Sequence, residues 1–273
     1  DKIKAEISYN YRNAPIPGGG YVTGFAFHGK VPDILYARTD IGGVYRYLYA
    51  EKRWKSLIDH VTMMDIAESF PIAIALDNDK PERLYIACGV NGEPNGKLCI
   101  SDDYGESFTY TPIPTMVHGN LSGRGTGMRL VVDESDSDTL YFASQTGGLL
   151  RSRDVGVSWE KLPLPENYTT FVWVSADGMT IVAGTAGLTT RRDERHRGHS
   201  MYVSYDAGET FDKLAEPECY EIADCKMNGM VASRYDYDGK YLYVTMNSTG
   251  RFNYIVDMGY SCDTGDVIGR SEE

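Results

Sequence analysis

The sequence predicts an all-β protein of the β-propeller type, and two observations carry this prediction. An eight-residue pattern, S-x-D-x-G-x-x-[WF], begins at Ser101, Ser152 and Ser204. Repetition with a period of about 50 residues is typical of propeller blades or solenoid repeats. Strand-like runs precede each copy, whereas no convincing amphipathic helix occurs. Helical bundles and doubly wound folds are therefore poor fits.

The three copies read SDDYGESF, SRDVGVSW and SYDAGETF, and a degraded fourth copy, SCDTGDVI, begins at Ser261. Their chemistry predicts a turn between two strands. The serine and aspartate side chains can bond to nearby backbone groups, and glycine accepts a positive φ. The final aromatic residue then packs into the sheet where the next strand begins.

Short apolar and aromatic runs bounded by turn residues indicate the strands. In chain order they are DILYA, RLYIACG with KLCI, TLYFAS with GLLR, MTIVAG with SMYV, and KYLYVTM. They define five blade-like units, which agrees with the number that 273 residues supply at about 50 residues per blade.

The position of each turn within a blade predicts the face on which it lies. A blade is a four-stranded antiparallel meander, so its first-to-second and third-to-fourth turns share one face. We expect the octets to be third-to-fourth turns, in which Asp103, Asp154 and Asp206 fasten the structure. Asp40, in LYARTDIGGVYRY, follows a second strand. It therefore belongs to the opposite face, together with the links between blades.

Composition limits the ligands that the protein can bind. The chain has 39 acidic and 27 basic residues and a net charge of −12, which argues against nucleic acid or an anionic membrane and suits a neutral ligand. No apolar run is long enough to cross a bilayer. The five cysteines lack zinc-finger spacing, so we predict neither a metal nor a cofactor. Cys88 and Cys99 could face each other across a hairpin, but buried free thiols are the preferred interpretation.

Candidate ligand-binding residues gather on the face that carries Asp40. The link HGNLSGRGTGMRL combines glycines, which allow close backbone approach, with Asn and Arg side chains that can bond to hydroxyl groups. The alternative is a glycine-rich loop whose arginines pair with surface acids. The substrate-binding candidates are Tyr21, Tyr45, Asn120, Arg124 and Arg129.

Two longer stretches resemble a known family. Residues 13–47 resemble the amino terminus of the glycoside hydrolase family 74 xyloglucanases, and residues 119–133 resemble the second blade-link motif of that family. The octets resemble the Asp-box of sialidase-like propellers. Two departures stand out. The stretch that follows the first blade contains His60 and no tryptophan where the family carries tryptophans, and Met128 stands where the family commonly has an acidic residue.

The resemblance implies two seven-bladed propellers that face each other across a cleft and hydrolyse the β-1,4-glucan backbone of xyloglucan with inversion. It implies that Asp40 is the general base and that an aspartate of the second propeller is the acid. We therefore expect residues 1–273 to form an incomplete amino-terminal propeller, the second propeller being absent from this chain. The resemblance also implies a secreted or cell-surface protein.

Two other functions remain open at this stage. The chain could be a non-catalytic Asp-box propeller that binds glycans or supports an assembly, because a fold does not dictate a function. A sialidase would require an arginine triad and a Tyr–Glu pair, which no motif in this sequence assembles.

Overall fold

The computed structural model describes residues 16, 18–61, 63–90, 92–120, 128–187, 197–214, 230–237, 241–248, 255–261 and 267–272. These residues form five four-stranded antiparallel sheets, in each of which the strands follow chain order. The predicted β-propeller architecture and its five blades are thereby confirmed. Within the described ranges, no helix is long and apolar enough to cross a membrane.

The strands of the five blades have the following bounds. Blade 1 contains β1 (Val22–Phe27), β2 (Leu35–Thr39), β3 (Val44–Leu48) and β4 (Arg53–Ser56); blade 2 contains β5 (Pro71–Leu76), β6 (Leu84–Cys88), β7 (Gly96–Ser101) and β8 (Thr109–Ile113). Blade 3 contains β9 (Leu130–Val132), β10 (Leu140–Ala143), β11 (Leu149–Ser152) and β12 (Glu160–Lys161). Blade 4 contains β13 (Thr169–Val174), β14 (Ile181–Gly187), β15 (Arg197–Ser204) and β16 (Asp212–Lys213); blade 5 contains β17 (Met230–Tyr237), β18 (Tyr241–Ser248), β19 (Ile255–Ser261) and β20 (Val267–Glu272). A short 3-10 helical segment, Met63–Ser69, precedes β5.

The first strands of successive blades lie side by side. Contacts join β1 to β5, β5 to β9, β9 to β13, and β13 to β17. Apolar side chains fill the layers between neighbouring sheets, as where Tyr36 and Leu57 of the first unit meet Leu84 and Ile86 of the second. Burial on both faces explains why β6 and β10 are buried along their whole length instead of alternating between apolar and polar residues.

The octets form the predicted turns. In the first, the Ser101 hydroxyl donates to Asp103 Oδ1 (2.7 Å) and accepts the N–H of Gly105 (2.8 Å). The Asp103 carboxylate accepts the N–H (2.9 Å) and the hydroxyl (2.5 Å) of Ser107. The octets at Ser152 and Ser204 repeat these bonds. Each turn therefore satisfies the side chains of its serine and its central aspartate within its own eight residues.

The octets also lie on the predicted face. The fourth residue of each has a positive φ although it is not glycine, and its N–H donates to the first-to-second turn of the same blade. The pairs are Tyr104 with Glu82 (2.9 Å), Val155 with Asp138 (2.9 Å) and Ala207 with Met179 (2.9 Å). The degraded copy lies between β19 and β20, and its central residues 262–266 are outside the described residues.

On the opposite face, the second-to-third turns hold the links between blades. At the end of each such turn in the first three blades, a glycine N–H donates to a carbonyl of the link that leads into the next blade. The pairs are Gly43 with Ser69 (3.1 Å), Gly96 with Thr115 (2.7 Å) and Gly148 with Asn167 (2.7 Å). Each link is thus fixed to the blade that it leaves.

Cys88 and Cys99 are buried free thiols, as predicted. They also face each other across the β6–β7 pair, with their Sγ atoms 3.5 Å apart. The hydrogen bond with Cys88 and then burial raise the pKa of Cys99, so the Cys99 sulfur stays protonated and unreactive at neutral pH. Cys219, Cys225 and Cys262 lie outside the described residues.

We expect Gly156→Ala to destabilise the protein much more than Gly92→Ala does. Both glycines have a positive φ, but a Cβ at Gly156 would lie 2.2 Å from Leu98 Cδ2, whereas a Cβ at Gly92 would meet nothing within 4 Å. Left-handed strain costs each variant about 1–2 kcal/mol, and overpacking adds about 1–3 kcal/mol at Gly156 alone. Urea unfolding measures the difference, and equal losses in the two variants would contradict this packing.

We expect Asp103→Asn to be more destabilising at pH 7 than at pH 2.5. Hydrogen bonds from Ser107 and Ser101 hold the pKa of Asp103 at about 2, below its unfolded value of about 3.9. The carboxylate therefore stabilises the fold above about pH 4 and loses that contribution as the pH falls through about 2.

Urea unfolding of wild type and variant from pH 7 to 2.5 checks this expectation. Ser107→Ala keeps the carboxylate but removes its hydroxyl donor. The pKa of Asp103, and with it the pH range over which its stabilisation is lost, should therefore move upward. A difference between wild type and Asp103→Asn that is the same at every pH would refute the assignment.

Candidate functional site

Asp40 is the first residue after β2, and it is 7% exposed. Its N–H donates to the carbonyl of Tyr21 (3.0 Å), and its Oδ1 accepts the N–H of Tyr21 (2.7 Å). These two bonds fasten the β2–β3 turn to the residue that leads into β1. The expected position of Asp40, on the face of the blade links, agrees with these contacts.

The glycines of the PGGGY stretch allow the chain to pass closely over the Asp40 turn. A Cβ at Gly42 would lie 2.1 Å from the carbonyl oxygen of Gly19. Gly20 has a φ of +100°, and a Cβ there would lie 3.0 Å from Asp40 Oδ1. Side chains at these positions would push the strand entrance away from the carboxylate, so these two glycines are required by close approach and backbone conformation.

The same turn occurs in blade 3, where an amide replaces the carboxylate. Thr39 and Ser144 occupy equivalent places, because each donates its N–H to the second glycine of a following pair (3.0 Å in both cases). Gln145 stands where Asp40 stands: its Oε1 accepts the N–H of His118 (2.9 Å), and its Nε2 donates to the His118 carbonyl (3.3 Å). Sequence reasoning missed Gln145, although the likeness of SQTGG to TDIGG was available in the sequence. The fastening role of this position therefore does not require a negative charge.

The two tyrosines predicted to bind substrate have different surroundings. Tyr21 is 69% exposed beside the Asp40 turn, so its ring is accessible to a ligand. Tyr45 is 3% exposed and packs with Ala37 and Trp54. Burial and then the charge of Asp59 raise the pKa of Tyr45. Tyr45 is thus part of the packing within blade 1, and its ring presents almost no surface to a sugar.

Arg129 is wholly buried. Its Nη1 donates to the carbonyls of Ala143 (3.0 Å) and Thr169, and its guanidinium lies 5.6 Å from the centre of the Tyr168 ring. Burial lowers the pKa of Arg129. These contacts join blade 3 to the start of blade 4, which is the geometry of an internal brace and leaves Arg129 no surface for a ligand.

The remaining candidates lie on the link between β8 and β9. Asn120 is half-buried, and its N–H donates to His118 Nδ1 (3.0 Å). Arg124 lies outside the described residues. The carbonyls of Phe70 and Pro71 pass so close to Gly119 that a Cβ there would lie 2.3 Å from the Phe70 oxygen. Asn120 is thereby carried on a segment packed against the entrance to blade 2.

Comparisons with known proteins relate this arrangement to a family of enzymes. No family model matches the chain. It is 35% identical over 224 residues to a Paenibacillus xyloglucanase, a match that covers 74% of this chain and 22% of that protein. It is also 35% identical over 218 residues to an oligoxyloglucan-reducing end-specific xyloglucanase from Emericella nidulans, covering 76% of this chain and 25% of that protein. The chain thus spans about a quarter of the length of the curated relatives it matches.

A solved structure agrees with these sequence matches. The GH74 xyloglucanase from Xanthomonas campestris superposes with a TM-score of 0.78 at 26% identity, covering 97% of this chain and 39% of that one. The blades, the turns and the sequence likeness therefore point to one conclusion. The chain belongs to glycoside hydrolase family 74, of which it is a β-propeller portion.

Proposed function

We propose that the protein is an inverting glycoside hydrolase that cleaves the β-1,4-glucan backbone of xyloglucan, with Asp40 as the general base. The observation that carries the proposal is the carboxylate of Asp40 beside the exposed ring of Tyr21, in a chain similar to named xyloglucanases. An enzyme meets a polysaccharide such as xyloglucan outside the cell, so we also propose a secreted or cell-surface location.

The chemistry assigns a limited task to Asp40. In an inverting reaction, a carboxylate takes a proton from water as the water oxygen attacks the anomeric carbon, and a carboxylic acid roughly 6.5–9.5 Å away protonates the leaving oxygen. We propose that a second propeller domain or chain supplies this acid. The Tyr21 N–H, bonded to Oδ1 at 2.7 Å, orients the carboxylate.

Substrate contacts are proposed only for accessible residues. The exposed Tyr21 ring can stack on a sugar, and Asn120 can bond to hydroxyl groups. Arg124 keeps its proposed binding role on the strength of the sequence alone. The burial of Tyr45 and Arg129 makes them supports for the site, so we assign them no direct sugar contact.

One observation favours a second function. Because Gln145 makes the same turn in blade 3, the Asp40 turn is compatible with a purely structural role. A propeller with this role would bind glycans or support an assembly without catalysing hydrolysis.

We expect Asp40→Asn to reduce kcat on xyloglucan by about 10²- to 10⁴-fold, because the amide cannot accept the proton of the attacking water. The variant keeps an oxygen acceptor for the Tyr21 N–H, so the melting temperature should change little. Reducing-end release and thermal unfolding of the full-length protein measure the two effects.

Asp77→Asn is the matched control. Asp77 is also buried and also accepts backbone N–H groups, from Asp79 (2.9 Å) and Lys80 (3.2 Å), but it lies on the opposite face. Its kcat should stay within about twofold of wild type. NMR of freshly released ends should show the α-anomer first. Initial β-anomer, or full activity in Asp40→Asn, would refute the general-base assignment, and binding without any turnover would favour the second function.

A further inference from the structure

A cleft of about 530 Å³ opens on blade 2, and none of the described residues that line it belongs to the Asp40 turn. Its walls are the 3-10 segment before β5, the residues Gly89, Val90, Glu93 and Asn95 between β6 and β7, and β8. This volume lies within the range of small-molecule sites. The three walls come from separate parts of the chain, which explains why no sequence motif predicts the cleft.

A buried carboxylate arranges the polar groups at one side of this cleft. Glu68 is almost fully buried, and it accepts from Lys97 Nζ at Oε1 (3.2 Å) and from the Tyr110 hydroxyl at Oε2 (3.3 Å). His60 Nε2 lies 3.5 Å from the same Oε2. The Lys97 ammonium also lies 4.9 Å from the centre of the Tyr110 ring. Lys97 and Tyr110 are therefore held in fixed positions where they line the cleft.

Lys97 and Tyr110 are both protonated at neutral pH. Burial lowers the pKa of Lys97, but its hydrogen bond and charge interaction with Glu68 outweigh burial, so that pKa is raised overall. Burial and then the charge of Glu68 raise the pKa of Tyr110 to about 12. Both groups remain protonated, and both are hydrogen-bond donors.

The lining determines the kind of ligand that fits. Its polar groups are the carboxylates of Asp65 and Glu93, the Asn95 amide and the Lys97 ammonium. Two acids against one cation disfavour an anion, while the mixture of donors and acceptors suits hydroxyl groups. The Tyr110 ring, 45% exposed, offers an apolar platform of the kind that packs against the C–H face of a sugar.

We propose that this cleft is a binding subsite for a neutral glycosyl unit, with Tyr110 as its stacking platform and Lys97 as a hydroxyl-binding group. The subsite is tied to the Asp40 turn, because the carbonyl of Ser69, the residue after Glu68, accepts the N–H of Gly43. The inference rests on the proposed function in one respect: the sugar belongs to the same glycan that the Asp40 site receives.

Calorimetric titration of the full-length Asp40→Asn protein with a xyloglucan oligosaccharide tests the subsite without turnover. We expect Tyr110→Ala to weaken binding by about tenfold or more, since the stacking surface is lost. Tyr110→Phe keeps the ring and should bind within about twofold of the parent. Tyr205→Ala is the matched control, because Tyr205 is similarly exposed, at 50%, on the opposite face; it should leave the affinity unchanged.

Each outcome bears on the subsite separately from the hydrolytic function. Absence of oligosaccharide binding by the parent, or equal affinity of parent and Tyr110→Ala, overturns the subsite even if wild type hydrolyses xyloglucan. Tighter binding of an oligogalacturonate than of the neutral oligosaccharide overturns its assignment to neutral sugars. A loss of affinity in Tyr110→Ala, with the affinities of Tyr110→Phe and Tyr205→Ala unchanged, supports the subsite even if wild type proves inactive.

Discussion

The hydrogen bond from a turn glycine to the following blade link is the contact on which the functional face depends. Blades pack through apolar side chains, which give strength but little direction. The Gly43, Gly96 and Gly148 amides add direction, because each fixes one carbonyl of a long connection to the sheet that precedes it. These bonds make fixed supports of the connections, which are usually the more mobile parts of a fold. The surroundings of Asp40 and the walls of the blade 2 cleft are both built on such supports.

The two faces use aspartate in different ways. In the octets, carboxylates receive hydroxyl and amide donors from within the same turn and are saturated by local bonds. Asp40 instead receives the amide of a residue nineteen positions away, so its placement depends on the packing of a glycine run over the turn. Aspartate thus fastens the turns of one face and supplies a candidate proton acceptor on the other. The difference lies in whether the hydrogen-bond donors come from the same turn or from a residue far away in the chain.

The parts of the fold that depend on local bonds are the parts that sequence reasoning predicted. The octet turns and the face that carries Asp40 follow from side-chain chemistry and strand counting. Tyr45 and Arg129 could not be placed, because their burial depends on how neighbouring strands and blades cover them. The cluster around Glu68 escaped prediction for a related reason: its members are far apart in the chain and meet only after blade 2 has formed.

The local closure of the octet bonds also bears on how such a protein changes over evolutionary time. A blade that carries the central bonds of its own fastener can be duplicated or lost as a unit, since the bonds of the octet serine and aspartate form within one turn. Bonds from the octets to neighbouring blades, such as that between Glu106 and Lys55, involve other residues of the turn. Blade 1, whose β3–β4 connection is a short turn without the octet, shows that a four-stranded sheet of this fold can form without one. Gene rearrangement can therefore alter the number of blades in whole steps while the opposite face diverges independently.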